Sequence, residues 1–155
     1  MSSFTQPLQF ESTDRFVGGT ESYRTVNGES YVVVSGARRI VRVLKSFQYI
    51  DEKTNLAFTI PDGFMTDLGS IPSIVQSYVQ SDAPHAQAFV LHDFLYDQIR
   101  TGVLNNFSRK DADDVLRDAL TLPFQISRNN KNLRAVCPLL TRSLIYTAVR
   151  VGGRL

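Results

Sequence analysis

Two hydrophobic periods divide the chain. Ser30 to Ser35, Ile40 to Ile50 and Asn55 to Ile60 are short runs rich in β-branched and aromatic residues, separated by Ser-Gly-Ala and Asp-Glu-Lys-Thr-Asn turns. They predict a small antiparallel sheet. In the middle run Ile40, Arg42, Leu44, Ser46 and Gln48 alternate with Val41, Val43, Lys45, Phe47 and Tyr49. Neither set is cleanly apolar, so the alternation predicts a strand without naming its inward face. The first two dozen residues contain Gly18-Gly19 and no sustained pattern, and they read as an irregular arm.

From Ala83 onward the period is helical. Ala88, Leu91, His92, Leu95, Tyr96 and Ile99 follow the i, i+3, i+4, i+7 spacing of one helix face, which turns His92 inward. Ser108 followed by Asp111 is a capping-box variant that opens a second helix, with Ala112, Val115, Leu116, Ala119 and Leu120 as its stripe and Asp113 at the stripe's edge. Pro123 ends that region, and "QISRNNKN" reads as a polar connector. A third helix is predicted from Pro138 to about Val151, with Leu140, Leu144 and Ala148 on one side before Gly152-Gly153 stops it. The prediction is an α+β fold in a single domain spanning 1–155. A β-rich part over 1–62 precedes a loop and a helical core over 63–155.

Composition narrows the function classes. The chain has 155 residues, 43% of them hydrophobic, which suits one domain able to bury a core without crosslinks. A net charge of +2 gives no basic field of the kind nucleic acid binding needs. The single cysteine, Cys137, forms no internal disulfide. The amino terminus has no signal-peptide pattern, and no run approaches the roughly 18 to 20 apolar residues of a spanning helix.

Chemistry concentrates in Thr66-Asp67-Leu68-Gly69, in His92-Asp93-Phe94-Leu95-Tyr96 and in Ser108 to Asp114. Adjacent helical residues point about 100° apart, so His92 and Asp93 border one cleft without sharing one task. An acid on the next helix can orient His92. Asp113 is best placed, because Asp111 is occupied by capping while Asp114 and Asp118 turn toward solvent. A histidine held by a carboxylate has a fixed tautomer and can act as a general base. Asp93 is then left to meet Asp67 from the loop, and two carboxylates with backbone carbonyls and water suit calcium.

The motifs "MTDLG", "HDFLYDQI", "SRKDADDVLRDAL" and "IYTAVRVGG" resemble, in this order, those of prokaryotic secreted phospholipase A2 enzymes. The resemblance implies a core of antiparallel helices, with His92 as base and Asp113 as its orienting partner. It also implies calcium on Asp93, Asp67 and the Leu68 carbonyl. The cysteines of those enzymes have no counterparts here. A longer resemblance, from about Phe47 to Gly152, is to bacteriophage proteins grouped as domain of unknown function 1353. It implies a phage protein, carried in the virion or made in the host cytoplasm, with other virion proteins as partners.

Plainer roles are open to the same residues. Asp67 can form an Asx turn before Gly69, Asp113 can pair with Arg109 four positions earlier, and Tyr96 can be core with its hydroxyl on an acid. Tyr96, Arg109 and Thr66 are read as supporting residues of the site, and His85, next to Pro84, as a surface residue at a helix start. Two functions follow from these alternatives. One is a calcium-dependent acyl hydrolase acting on host membrane phospholipid, with Phe64, Met65, Ile71, Ile74, Val75 and Tyr78 as interfacial contacts. The other is a non-catalytic tail or neck protein on the same scaffold.

Overall fold

The computed structural model describes residues 2–18, 20–35, 38–67, 86–122, 124–128, 131–135, 137 and 139–152. Strands β1 (Ser3–Phe4), β6 (Phe47–Asp51) and β7 (Leu56–Ile60) form one antiparallel sheet in the order β1-β6-β7. Strands β2 (Phe10–Val17), β5 (Arg38–Val43) and β8 (Met65–Thr66) form a second, in the order β2-β5-β8. Strands β3 (Thr20–Val26) and β4 (Glu29–Ser35) pair as a hairpin closed at Asn27 and Gly28. Both turn residues have positive φ, 53° and 79°, as the favoured two-residue hairpin turn requires. Among the described residues three helices follow: α1 (Ala86–Arg100), α2 (Arg109–Ala119) and α3 (Leu139–Gly152), with the antiparallel pair β9 (Phe124–Arg128) and β10 (Lys131–Ala135) between the last two. The fold is α+β.

The middle strand run is two strands, separated by a bend at Leu44 and Lys45. Its inward face is the odd-numbered one: Val41, Val43, Phe47 and Tyr49 are buried, and the bend delivers Lys45, the one charge in that set, to solvent. Val43, Phe47 and Tyr49 meet Phe58 and Ile60 of β7 and the apolar faces of helices α1, α2 and α3 in one cluster. Strands therefore build the core jointly with the helices, which corrects the expectation of a core made of helices alone. Burying this many large side chains is the main stabilising term, at roughly 1.5–3 kcal/mol for each one.

Three further expectations are corrected. The amino-terminal arm is not irregular but supplies β1, β2 and β3. The two ends of the "QISRNNKN" connector lie in the paired strands β9 and β10, with Ile126 opposite Leu133, and Asn129 and Asn130 lie outside the described residues. On α3 the buried residues are Ile145 and Val149, while Leu140 is 84% exposed and Leu144 49%. That helix carries apolar residues around most of its circumference, so its period could not select the face that packs.

The helix expectations for α1 and α2 agree with the structure. Ala88, Leu91, His92 and Leu95 are buried, and Tyr96 and Ile99 pack partly buried against the core. Ser108 caps α2: its side chain accepts from the Asp111 amide, and Asp111 accepts from the Ser108 amide. Reciprocal capping satisfies two donors that the first turn would otherwise leave open.

Candidate functional site

The loop before Asp67 is fixed by backbone pairing to β5. The Gly63 amide donates to the Val43 carbonyl at 2.7 Å, and the Val43 amide donates to the Phe64 carbonyl at 2.9 Å. β8 then continues alongside β5, with Val41 opposite Thr66 and Arg42 opposite Met65. This pairing places Thr66, buried, against α1, where its hydroxyl donates to the Asp93 carboxylate. Asp67 and Asp93, both half-buried, line one open cleft of about 420 Å³ with Thr66 and Asp97. The two acids are therefore brought to the same cleft. Leu68, Ile71, Ile74, Val75, Tyr78 and His85 lie outside the described residues.

His92 and Asp113 are brought together as expected. His92 Nε2 lies 2.7 Å from Asp113 Oδ1, and both side chains are essentially inaccessible, at 0% and 1% exposure. Asp113 is thus fully inside and not at a stripe edge. The Tyr96 hydroxyl donates to the same Oδ1 at 2.6 Å, as the reading of Tyr96 as core with a tethered hydroxyl anticipated. The His92 and Tyr96 rings are 4.3 Å apart between centroids and tilted by 46°, so the Tyr96 ring packs against the imidazole.

The second oxygen of Asp113 is taken by a residue the sequence did not single out. Arg150 Nη1, from the last full turn of α3, donates to Oδ2 at 2.8 Å. The motif containing Arg150 was legible, but nothing in one sequence tied it to a carboxylate 37 positions away. Arg109 takes a different position from the i, i+4 pairing considered above: its guanidinium lies over the Tyr96 ring, 5.7 Å from the centroid. Asp114 turns outward, to Lys110 at 2.7 Å and to the Tyr146 hydroxyl at 2.7 Å.

These contacts set the charge states. Burial alone would raise the Asp113 carboxyl, but hydrogen bonds from His92, Tyr96 and Arg150 outweigh it and hold the group below the ordinary carboxylate value. An ionised carboxylate only accepts, so Nε2 of His92 carries the hydrogen and the basic electron pair of the neutral ring resides on Nδ1. Tyr96 is raised, first by burial and then by its bond to Asp113, and stays a neutral donor. The remaining nucleophile type, the Cys137 thiol, is buried and is raised by that burial, which keeps it protonated.

A second open cleft, of about 380 Å³, adjoins the first along α1 and is lined by Asp93, Tyr96, Asp97, Ile99, Arg100 and Arg109. His92 is not among the residues lining either cleft; it lies one position behind Asp93, in the core. Among the described residues, no three His, Cys, Asp or Glu side chains group closely enough to hold a metal ion. Asp67 and Asp93 offer the oxygen donors that a hard cation prefers. Calcium takes six to eight such ligands, so water and backbone carbonyls would have to supply the rest.

No helix among the described residues is long and apolar enough to cross a membrane. No curated protein and no solved structure matches the chain. The family described as Protein of unknown function (DUF1353) matches residues 41–149, the span that holds the core strands, the loop acid, the His92–Asp113 pair and all but the last turn of α3, and the chain belongs to that family.

Proposed function

We propose that the protein is a phospholipase A2-like acyl hydrolase, dependent on calcium, with His92 as general base, Asp113 as its orienting acid, and Asp93 and Asp67 as calcium ligands. The observation that carries this reading is the 2.7 Å contact between His92 and Asp113, one residue away from an acid that shares a cleft with the loop acid Asp67. On this reading Asp113 fixes the ring's tautomer, and Nδ1 is the nitrogen that would take a proton from an attacking water. Tyr96 and Arg150 hold Asp113 ionised and oriented, and Thr66 holds Asp93. Calcium bound at the two acids would supply charge stabilisation for the oxyanion of the ester carbonyl.

The resemblance to bacteriophage proteins supports a phage-encoded protein that reaches host phospholipid from the virion, with other virion proteins as its partners. The test is fatty-acid release from phosphatidylglycerol and phosphatidylcholine vesicles, in millimolar calcium and in chelator. Calcium-dependent release that is lost in His92→Gln is the expected result. No release from any vesicle by the folded parent protein overturns it.

A second reading has its own observation. His92 and Asp113 are wholly buried, and Arg150 closes the remaining oxygen, so the cluster ties α1, α2 and α3 together as a structural network would. On that reading the protein is a non-catalytic tail or neck component. The β3–β4 ribbon, with Tyr23 76% and Val32 55% exposed, would offer surface for neighbours. Particles that contain it in fixed number, and assemble normally with His92→Gln, would support this reading over the first.

A further inference from the structure

β3 and β4 pair in the same register that joins Val17 to Arg38 at the end of β2 and β5, so the ribbon prolongs that ladder to the turn at Asn27 and Gly28. Among the described residues no third strand pairs with it, and every residue from 21 to 32 is exposed. A two-stranded hairpin without a third strand or a helix against it is at best marginally stable in water. The ribbon also lies outside residues 41–149, the part that the family shares.

The turn decides which backbone groups are left over. In a two-residue hairpin of this type the flanking residues, Val26 and Glu29, exchange both hydrogen bonds, and bonded and non-bonded pairs alternate from there. Arg24 with Tyr31 is therefore a bonded pair, and Tyr23 with Val32 is not. The amides and carbonyls of Ser30, Val32 and Val34 consequently point away from β3, toward the outer edge. That edge has none of the devices that discourage pairing, since Ser30 to Ser35 contains no charge, no proline and no bulge. β2, by contrast, is bulged between Ser12 and Phe16, and β3 carries Glu21 and Arg24.

We propose that the outer edge of β4 is a dimer interface, filled by β4 of a second copy running antiparallel about a two-fold axis at Val32. An axis normal to the sheet sets one residue opposite its own counterpart, and Val32 is the central outward position. In this register Val32 pairs with Val32 of the second copy and Ser30 with Val34, which uses all the outward amides and carbonyls. Tyr23 and Val32, cross-strand neighbours 76% and 55% exposed, continue into Val32 and Tyr23 of the second copy as one row on one face. Glu29, the one charge in β4, falls opposite Ser35, and the second chain runs on from there to Arg38 and Arg39, of opposite sign. A strand of unrelated sequence would complete the same hydrogen bonds, but the matched row and the absence of facing like charges single out a second copy. The inference is independent of the hydrolase reading.

Sedimentation equilibrium of the full chain from micromolar to millimolar concentration, on the parent, Val32→Lys and Thr25→Lys, tests it. Val32→Lys sets two like charges against each other at the axis, whereas Thr25→Lys adds the same charge to the opposite edge of the ribbon. The expected result is a parent that doubles in mass with concentration, a dissociation constant raised about tenfold or more in Val32→Lys, and no change in Thr25→Lys. Hydrogen exchange should show the Ser30, Val32 and Val34 amides protected only where the dimer is populated. Val32→Cys and Thr25→Cys give a second reading that does not depend on a charge in the hairpin: oxidation should link the first into a disulfide dimer and leave the second monomeric, with Cys137 buried and out of reach. A parent that stays monomeric, a Val32→Lys chain that dimerises like the parent, or equal crosslinking of the two cysteine variants overturns the interface. A monomeric parent whose Ser30, Val32 and Val34 amides are already protected assigns the edge to another segment of the same chain, and overturns it as well.

Discussion

Arg150 and Asp113, 37 residues apart in the chain, meet at 2.8 Å, and the arginine takes the one carboxylate oxygen that His92 and Tyr96 leave open. The carboxylate has no solvent of its own, so each of these donors replaces water that folding removed. Three helices thereby contribute to one anion: α1 through His92 and Tyr96, α2 through Asp113 itself, and α3 through Arg150.

Arg150→Met keeps much of the aliphatic stem and removes the charge. It should lower stability by about 1–3 kcal/mol, the range for a hydrogen bond to a charged group or for a buried acceptor left short of a partner. Urea midpoints at constant m-value measure the difference. A loss under about 0.5 kcal/mol would mean that water replaces the guanidinium at the half-exposed Arg150 position and that α3 is held by its apolar residues alone.

The lowered Asp113 and Asp114 carboxyls predict a direction of pH dependence. For Asp113, burial raises the value and the bonds from His92, Tyr96 and Arg150 lower it further than burial raises it. For Asp114, burial raises and Lys110 and Tyr146 outweigh it. Folded values below the ordinary 3.8 mean that the unfolded chain binds protons first as pH falls. The stabilisation is therefore complete above the unfolded value and is lost as pH drops through the folded ones. Chemical denaturation from pH 6 to pH 2 should show stability falling below about pH 4, with a shallower fall in Asp113→Asn. Identical slopes in the variant and the parent would assign the acid sensitivity to other groups.

The parts of this fold that could be read from the sequence are those in which neighbours along the chain decide the outcome. The stripe of α1, the Ser108–Asp111 cap and the inward turn of His92 depend on residues within two helical turns. Asp113 could be chosen over Asp111, Asp114 and Asp118 on the same local grounds. Of the β3–β4 ribbon the second strand could be read from its β-branched run, but β3 could not, because residues 21 to 26 are all exposed and a strand open on both faces has no reason to alternate. For α3 the opposite problem arose: with Leu139, Leu140, Leu144, Ile145 and Val149 in one helix, the sheet and helices that pack against it select the face. Arg150 was missed because its role exists only through a contact between distant segments.

The two cleft acids predict a calcium response that separates site from scaffold. If Asp67 and Asp93 hold calcium, the thermal midpoint should rise with calcium, because a ligand that binds only the folded state stabilises it by RT ln(1 + [L]/Kd). At one hundred times Kd this is about 2.7 kcal/mol. Asp67→Asn should abolish the rise while leaving the calcium-free midpoint nearly unchanged, since Asp67 is half-buried at the cleft and is not part of the core cluster. Magnesium should substitute poorly, because it demands a tighter octahedral shell. A midpoint that is flat across millimolar calcium in the parent would remove the metal from the mechanism and leave Asp67 with a turn-forming role.

His92 calls for two substitutions, because its burial couples chemistry to stability. His92→Ala leaves the Asp113 carboxylate inside the protein without one of its three donors and opens a cavity in the core. Leaving a buried charged acceptor short of a donor costs about 1–3 kcal/mol or more, before the cavity is counted. Loss of activity in that variant would be uninformative, since it would follow from partial unfolding alone. His92→Gln can still donate an amide N–H toward Asp113 but offers no nitrogen base. It should keep most of the stability while reducing calcium-dependent fatty-acid release by about 10²- to 10⁴-fold, the usual contribution of a general base. A His92→Gln protein with the parent's melting behaviour and undiminished release would show that His92 is not the base. A stable His92→Gln protein that is inactive, beside an active parent, would mean that the bond from His92 to Asp113 serves proton transfer in addition to holding the helices together.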